Sequence, residues 1–192
     1  IGYGKDGDFS HDIFDDTQIT CSLGSYLNYD DCVANGYEWH VEHFSGSHNL
    51  LIGERLRYSQ YGGIVTGYQN TSNNAYASVI GGKTSYGSGI GSVVAGGYSN
   101  RAVGDYASVG GGHANRAYGL ASAIAGGFDS DATGANSTVS GGNHNVALGE
   151  FAHVSGGTGN AAEGLASTVS GGRERSAVDA NDWVAGSLTE DE

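Results

Sequence analysis

Carboxylate side chains are concentrated near the start of the chain, where they could bind a cation. The segment KDGDFSHDIFDD contains Asp6, Asp8 and Asp12, and Asp15 and Asp16 follow closely. Clusters of oxygen ligands suit Ca²⁺, although this spacing does not match the loop of an EF-hand. The alternative interpretation is a solvated acidic loop. We expect no cofactor, with Ca²⁺ at Asp6, Asp8 and Asp12 as the one candidate to test.

Other residues that could do chemistry do not form a set with a recognisable role. His40, His43 and His48 lie in HVEHFSGSH, where His-x-x-His could contribute to a Zn²⁺ site, but no fourth ligand stands out. Serine recurs at repeat positions, histidine is scattered, and no nucleophile, base and orienting group come together. The glycine-rich segments lack the strand, helix and lysine context of a phosphate loop. The sequence therefore predicts a protein that is not an enzyme.

Cys21 and Cys32 are the only two cysteines, and Gly, Asn and Asp residues lie between them. Two cysteines this close in sequence most simply close a small disulfide loop, which favours an extracellular or cell-surface location. The alternative is two unpaired thiols in a reducing compartment.

Composition and charge exclude several classes of protein. Glycine accounts for 35 of 192 residues, without the every-third-residue period of collagen. The formal net charge of −13 argues against nucleic acid or an anionic membrane as the partner. No apolar run approaches the length of roughly 20 residues that spans a bilayer, so we expect no direct membrane insertion.

The main feature of the sequence is a fifteen-residue repeat. Its anchor is the second residue of a GG pair, which recurs without slippage at Gly82, Gly97, Gly112, Gly127, Gly142, Gly157 and Gly172. Gly67 extends the series by one step but lacks a GG partner. A short fixed period is typical of a solenoid in which each repeat forms one coil.

Three residues before each anchor stands a β-branched aliphatic residue. β-Branched side chains suit strands, so the sequence predicts a buried aliphatic ladder along the stacked coils. Its predicted members are Ile64, Val79, Val94, Val109, Ile124, Val139, Val154, Val169 and Val184.

Three further columns complete the predicted coil. Alanine recurs five residues after each anchor, from Ala102 to Ala177, and should face the aliphatic ladder across a narrow core. The GG pairs and a second glycine column, from Gly89 to Gly164, should form the two corners, where glycine tolerates positive φ. An asparagine column after one corner should form a hydrogen-bonded ladder along the axis; it comprises Asn70, Asn100, Asn115, Asn145 and Asn160.

Small residues directly after the aliphatic ladder should point out of the coil, because side chains alternate along a strand. A flat face of this kind could pack closely against a copy of itself, and a thin core favours such association. The predicted oligomer face consists of Ala95, Gly110, Ala125, Ser140, Ser155 and Ser170.

The sequence thus predicts an all-β protein whose main part is a parallel β-solenoid, or β-roll, of fifteen-residue coils. Residues 1–46 are expected to be an N-terminal strand with an acidic insertion that carries the disulfide loop. Residues 47–187 should form the solenoid, and residues 188–192 an acidic C-terminal tail.

The repeats resemble the head repeats of trimeric autotransporter adhesins, which also occur in uncharacterised bacterial surface proteins. The pattern A-S-V-x-G-G-x-x-N-x-A-x-G is seen in YASVGGGHANRAYG and in HVSGGTGNAAEGLASTVSGG, and the resemblance covers about residues 47–187. It implies a left-handed parallel β-roll that packs as a trimer and binds host matrix or other surfaces. The repeat has fifteen residues, whereas fourteen is more usual in the adhesins.

We therefore expect an extracellular or cell-surface protein that associates with itself and has an adhesive or structural role. Its partners would be its own copies, as a trimer or a filament, and a host matrix, a glycan or another cell surface. Outer residues expected to contact a partner are Tyr98, Arg101, Tyr106, Arg116, Tyr118 and Phe128. Two alternatives stay open: a subunit of an extracellular filament, and the receptor-binding tip of a phage fibre.

Overall fold

The computed structural model describes residues 17–21, 39–43 and 49–186, and every helix or strand element in these ranges is a β-strand. β1 (Thr17–Cys21) and β2 (Trp39–His43) form an antiparallel pair in which Cys21 lies opposite Trp39. Residues 49–186 form a parallel β-solenoid, as the sequence predicts. Cys32, Asp6, Asp8 and Asp12 lie outside the described residues, so the disulfide and the Ca²⁺ site stay predictions.

Two parallel sheets run along the solenoid, and each coil contributes one short strand to each of them. The ten-stranded sheet contains β3 (Leu50–Glu54), β5 (Ile64–Tyr68), β7 (Ser78–Val79), β9 (Val93–Val94), β11 (Ser108–Val109), β13 (Ala123–Ile124), β15 (Thr138–Val139), β17 (His153–Val154), β19 (Thr168–Val169) and β21 (Trp183–Val184). The nine-stranded sheet contains β4 (Arg57–Tyr58), β6 (Thr71–Ser72), β8 (Tyr86–Gly87), β10 (Arg101–Ala102), β12 (Arg116–Ala117), β14 (Asp131–Ala132), β16 (Val146–Ala147), β18 (Ala161–Ala162) and β20 (Ser176–Ala177).

A third parallel ladder joins the coils between these two sheets. It consists of single bridges and is called the bridge ladder below; its members are Tyr68, Lys83, Tyr98, His113, Phe128, Asn143, Thr158 and Arg173. Each coil therefore meets the next along three lines. Side chains in one column are about 4.8 Å apart, the spacing of neighbouring strands.

The core lies between the two sheets and contains one aliphatic side chain and one alanine from most coils. The aliphatic members from Val79 to Val169 are fully or almost fully buried, and so are the alanines from Ala102 to Ala177. Val184, in the last described coil, is only partly buried. This pairing of a β-branched residue with a small one fills a core that is too narrow for two large side chains.

The aliphatic ladder runs through Val65, with the partly buried Leu51 before it, and the prediction that placed Ile64 in the ladder was wrong. Val65 pairs with Val79 and is fully buried, whereas Ile64 pairs with Leu50 and is 39% exposed. The single Gly67 stands where later coils have a GG pair, so the step from Val65 to Val79 is fourteen residues. A strict fifteen-residue count therefore points to the neighbouring position, which faces outward.

One corner of the solenoid is held by the predicted asparagine column, but the bonds run between side chain and main chain. Asn100 donates from Nδ2 to the carbonyl oxygens of Gly96, at 2.8 Å, and Gly112, at 3.0 Å. Its Oδ1 accepts a bond of 3.0 Å from the main-chain N–H of Asn115 in the next coil. Ser85 and Ser130 occupy the column in other coils and accept through Oγ instead. The result is an unbroken hydrogen-bond ladder at this corner from Asn70 to Arg175.

A second buried column, one residue before each short strand of the ten-stranded sheet, mixes alanine with serine. The hydroxyl oxygens of Ser92, Ser122, Ser137 and Ser167 are buried and have no hydrogen-bond partner within the described residues. Ala77, Ala107 and Ala152 occupy the same column in other coils. A buried hydroxyl without a partner lowers stability, so these serines do not hold the fold together.

Val139→Asp should disrupt the solenoid, because it places an unpaired charge between coils that bury Val139 completely. We expect a loss of more than about 4 kcal/mol in the free energy of unfolding, measured by urea denaturation followed by circular dichroism. The matched control is Ser140→Asp, the adjacent exposed position, which should leave stability nearly unchanged. Equal stability of the two variants would mean that the assigned register is wrong.

Asn145→Ala and Ser137→Ala should have opposite effects although both residues are fully buried. Asn145 bonds to the carbonyl oxygens of Gly141 and Gly157 and to the N–H of Asn160. Its loss leaves the Gly141 carbonyl and the Asn160 N–H without a partner, whereas the Gly157 carbonyl keeps its bond from the N–H of Asn143. We expect Asn145→Ala to lower the free energy of unfolding by about 3 kcal/mol, and Ser137→Ala to leave it unchanged or raise it. A large loss in Ser137→Ala would show that its hydroxyl has a structural partner.

Candidate functional site

The predicted oligomer face lies on the outer surface of the ten-stranded sheet, with all six of its residues exposed. Two of them contact rings of the same chain: Ser155 Oγ lies 3.1 Å from His153 Nε2, and Trp183 Nε1 donates to Ser170 Oγ at 2.7 Å. The remaining side chains are no larger than a hydroxymethyl group. This face is therefore flat, but it offers little apolar area.

Large exposed apolar side chains lie instead along the turn that follows the nine-stranded sheet. In most coils one such residue stands one or two positions after the glycine of the column that runs from Gly89 to Gly164. A second row of large residues stands directly before that glycine. We call this strip the turn ridge; it consists of Tyr76, Ile90, Tyr106, Tyr118, Leu120, Leu148, Phe151, Leu165 and Val178, which are 38–66% exposed.

The large residues of the turn ridge alternate between two positions because neighbouring coils are so close. Ile90, Leu120 and Leu165 stand directly after the corner, whereas Tyr76, Tyr106 and Phe151 stand one residue later. A Cβ on Gly91 would lie 3.1 Å from the ring of Tyr106, and one on Gly62 would lie 2.8 Å from the ring of Tyr76. A ring at the later position thus lies over a small residue of the preceding coil.

The glycines of the second corner column are required for close approach rather than for positive φ. A Cβ on Gly119 would lie 2.0 Å from the carbonyl oxygen of Gly134 in the next coil. The anchor glycines of the GG pairs, from Gly82 to Gly172, do have positive φ as predicted, but the column from Gly89 to Gly164 does not. Other positive-φ positions of the turns are occupied by residues such as Ser99 and Tyr106. The prediction that both corner columns exploit the positive φ of glycine was therefore wrong for the second column. Within a GG pair the requirement falls on the second glycine: Gly127 has positive φ, whereas a Cβ on Gly126 would meet no atom within 4 Å.

The turn ridge as a surface was not predicted from the sequence, although Tyr106 and Tyr118 were among the predicted outer contact residues. The signal was present as large apolar residues that alternate between two adjacent columns. Each column appears variable when it is considered alone. In the column directly after the corner glycine, for example, Ile90 and Leu120 alternate with Asp105 and Glu150. Only the stacked coils place both columns on one strip.

The bridge ladder begins with a run of rings and cations on the solenoid surface. Tyr68 lies between two of these cations, with Lys83 Nζ at 5.1 Å and the Arg55 guanidinium at 5.7 Å from its ring centre. Further along, Tyr98 and His113 stand edge to face at 5.0 Å, and His113 and Phe128 at 4.9 Å. Such contacts fix the orientation of exposed side chains that would otherwise move freely.

The cations next to this ladder differ in whether they already have a counter-charge. Arg116 binds the carboxylates of Asp131 and, at 2.9 Å, Asp129, which in turn lies 3.2 Å from His144 Nε2. Hydrogen bonding to Asp131 raises the pKa of the Arg116 guanidinium further above its usual value.

Three other cations in the first half of the solenoid have no ion-pair partner in the part of the chain that the structure describes, and neither does Arg173 near its far end. Arg101 lies over the ring of Tyr86 at 5.5 Å. Arg57 and Lys83 are likewise exposed and make no salt bridge within residues 49–186. All three lie in the first half of the solenoid. Residues 50–118 contain five cations and two acids, a net charge of +3, whereas residues 119–186 contain two cations and seven acids, a net charge of −5.

Gly119→Ala should destabilise the solenoid and disturb the turn ridge, because its Cβ would collide with the main chain of the next coil. We expect a loss of about 3 kcal/mol or more in the free energy of unfolding. Gly126→Ala is the matched control: its Cβ meets open space, and stability should change by less than about 1 kcal/mol. Urea denaturation of both variants measures the difference, and similar losses would contradict the close approach at Gly119.

The described residues contain no helix that could span a bilayer and no group of three or more His, Cys, Asp or Glu side chains that could hold a metal ion. The chain matches no protein-family model, and a search among curated proteins finds no significant match. The resemblance to adhesin head repeats therefore stays an expectation. The turn ridge and the unpaired cations are the candidate interaction surfaces of the solenoid.

Proposed function

We propose that this protein is a non-catalytic, extracellular or cell-surface β-solenoid that associates with copies of itself and has an adhesive or structural role. The observation that carries the proposal is the turn ridge, a strip of large exposed apolar residues along most of the solenoid. A strip with this many large exposed apolar side chains is typical of an interaction site.

The size of the turn ridge supports association with a second copy. Its nine side chains are about half exposed, which corresponds to roughly 80–100 Å² each. Together they offer roughly 800 Å² of apolar surface, similar to what one partner buries in a stable protein interface. Asp105, Glu150 and Glu163 stand in the same columns as the ridge residues, so the interface would place carboxylates between the apolar side chains.

The composition of the core supports the same proposal. Most coils bury one β-branched residue and one alanine, with buried asparagine or serine beside them. A core this thin contributes little hydrophobic stabilisation for its length. Burial of the turn ridge between copies would add apolar contacts to nearly every coil. We infer a trimer, following the resemblance to adhesin heads.

A filament subunit is the second candidate, favoured by apolar residues around the first described coil. Leu50, Ile52 and Ile64 are exposed on or next to β3, the outermost strand of the ten-stranded sheet among the described residues. Solenoid ends carry unpaired main-chain edges that can add further strands. In a filament, this end would contact the last coil of another copy.

Leu120→Glu combined with Leu165→Glu should convert the protein to a monomer, because it places two charges inside the proposed interface. Light scattering of the purified protein measures the mass, with circular dichroism as the control for folding. The matched variant Ala125→Glu with Ser170→Glu places the same charges on the predicted oligomer face and should keep the assembled mass.

Each outcome of this comparison has a distinct meaning. If only the variant with Ala125→Glu and Ser170→Glu were a monomer, the interface would lie on the predicted oligomer face of small residues. A monomeric wild-type protein would contradict self-association. Long fibres in negative-stain images that disappear in Ile52→Glu, but not in the Leu120 and Leu165 variant, would favour the filament over the closed oligomer.

A further inference from the structure

We propose that the unpaired cations and neighbouring rings in the first half of the solenoid bind an acidic polysaccharide, a sugar chain with sulfate or carboxylate groups. We call this surface the basic face; it consists of Arg57, Lys83, Tyr86, Tyr98, Arg101 and His113. The inference names the partner for the proposed adhesive role and rests on that role.

The cations of the basic face are available for a ligand. Arg57, Lys83 and Arg101 are exposed, and no carboxylate within residues 49–186 pairs with them. The contrast with Arg116 is informative, because the next rung of the same sheet places Asp131 beside that guanidinium. Arginine and lysine bind sulfate-like and carboxylate groups through charge-assisted hydrogen bonds, and their positions here are partly fixed by aromatic rings.

The spacing of the cations suits a linear polymer rather than a single anion. Arg57 on β4 and Arg101 on β10 are three strand spacings apart, roughly 14 Å. Lys83 lies between them on the adjacent bridge ladder, in the coil that also contains Tyr86. A ligand that reaches all three must be elongated along the solenoid axis and carry repeated negative charge.

The rings of the basic face favour sugar over other polyanions. Tyr98 is exposed and stands edge to face with His113, and Tyr86 lies under Arg101. Tyrosine offers an apolar ring face together with a hydroxyl group, a combination suited to a sugar ring, which has apolar C–H faces and hydroxyl edges. The rings and cations thus provide stacking and charge on the same strip.

A second copy of the chain does not fit this surface. The outward positions of the nine-stranded sheet in later coils are Val146, Ala161 and Ser176, which carry no charge. Of the acids of those coils, Glu150 and Asp179 lie by the turn, and Glu163 accepts a hydrogen bond of 2.8 Å from the Ser176 hydroxyl. A copy that packed through the same sheet would therefore meet the cations mainly with neutral residues, which favours a separate anionic molecule as the partner.

The test uses the full chain and two probes of matched size, dextran sulfate and unsulfated dextran, in titrations at low and moderate salt. We expect binding of dextran sulfate only, with an affinity that falls as salt rises. Lys83→Gln combined with Arg101→Gln should weaken binding about tenfold at low salt and reduce the salt dependence. Arg173→Gln is the matched control, because it removes one exposed cation at the far end of the same bridge ladder and should have little effect.

Tyr98→Ser separates stacking from charge. It should weaken binding of dextran sulfate several-fold and leave the salt dependence unchanged, since no cation is removed. Poly-L-glutamate serves as an acidic polypeptide probe and should bind more weakly than dextran sulfate, with no response to Tyr98→Ser.

Several results would overturn the inference. The first is a failure of dextran sulfate to bind at all, and the second is a loss of its binding in Arg173→Gln as large as in the combined Lys83 and Arg101 variant. The third is binding of poly-L-glutamate that is as tight as that of dextran sulfate and responds to the same variants. The last result would identify an acidic polypeptide as the partner. Light scattering of the same samples keeps the two proposals apart: if the assembled mass persists without polysaccharide binding, only this inference fails.

Discussion

The structure depends on main-chain hydrogen bonds that join each coil to the next at a fixed register. In the regular coils, bonds such as Val93 N–H to the carbonyl of Ala107 and Ala123 N–H to that of Ser137, both 2.9 Å, recur once per repeat. Because every coil repeats this register, one residue of the repeat always stands directly above its counterpart. Each column of the sequence thereby becomes a line of side chains along the solenoid, and a property of a column becomes a property of a whole face.

This constraint separates the columns that must be uniform from those that are free to vary. Inside the coil, the space between the two sheets admits one β-branched residue and one small residue, and the asparagine corner must satisfy main-chain groups of two coils. Outside the coil, the same register demands only that large rings have small neighbours, as Tyr106 has in Gly91. Selection for binding can therefore act on the outer columns without disturbing the core.

The two outer surfaces differ in the chemistry that they present. The turn ridge combines apolar side chains with a few carboxylates, and the basic face combines rings with unpaired cations on the nine-stranded sheet and the bridge ladder. A surface of the first kind gains free energy by excluding water, whereas one of the second kind gains it from charge and stacking with an anionic ligand. Self-association through the ridge would leave the basic face exposed and repeat it on each copy, so that several weak contacts would act together.

The sequence by itself determined the solenoid, its fifteen-residue coil, and the buried aliphatic, alanine and asparagine columns, because a strict period in sequence is a strict register in space. It failed at Ile64, where the lone Gly67 shortens the coil and shifts the inward position to Val65. Only the tertiary structure decided which glycines are indispensable, since that depends on the main chain of the next coil, as at Gly119 and Gly126. It also decided that two variable columns form one apolar ridge, and that Arg116 is paired while Arg101 is not. Those properties arise between residues of neighbouring coils, and a single repeat does not contain them.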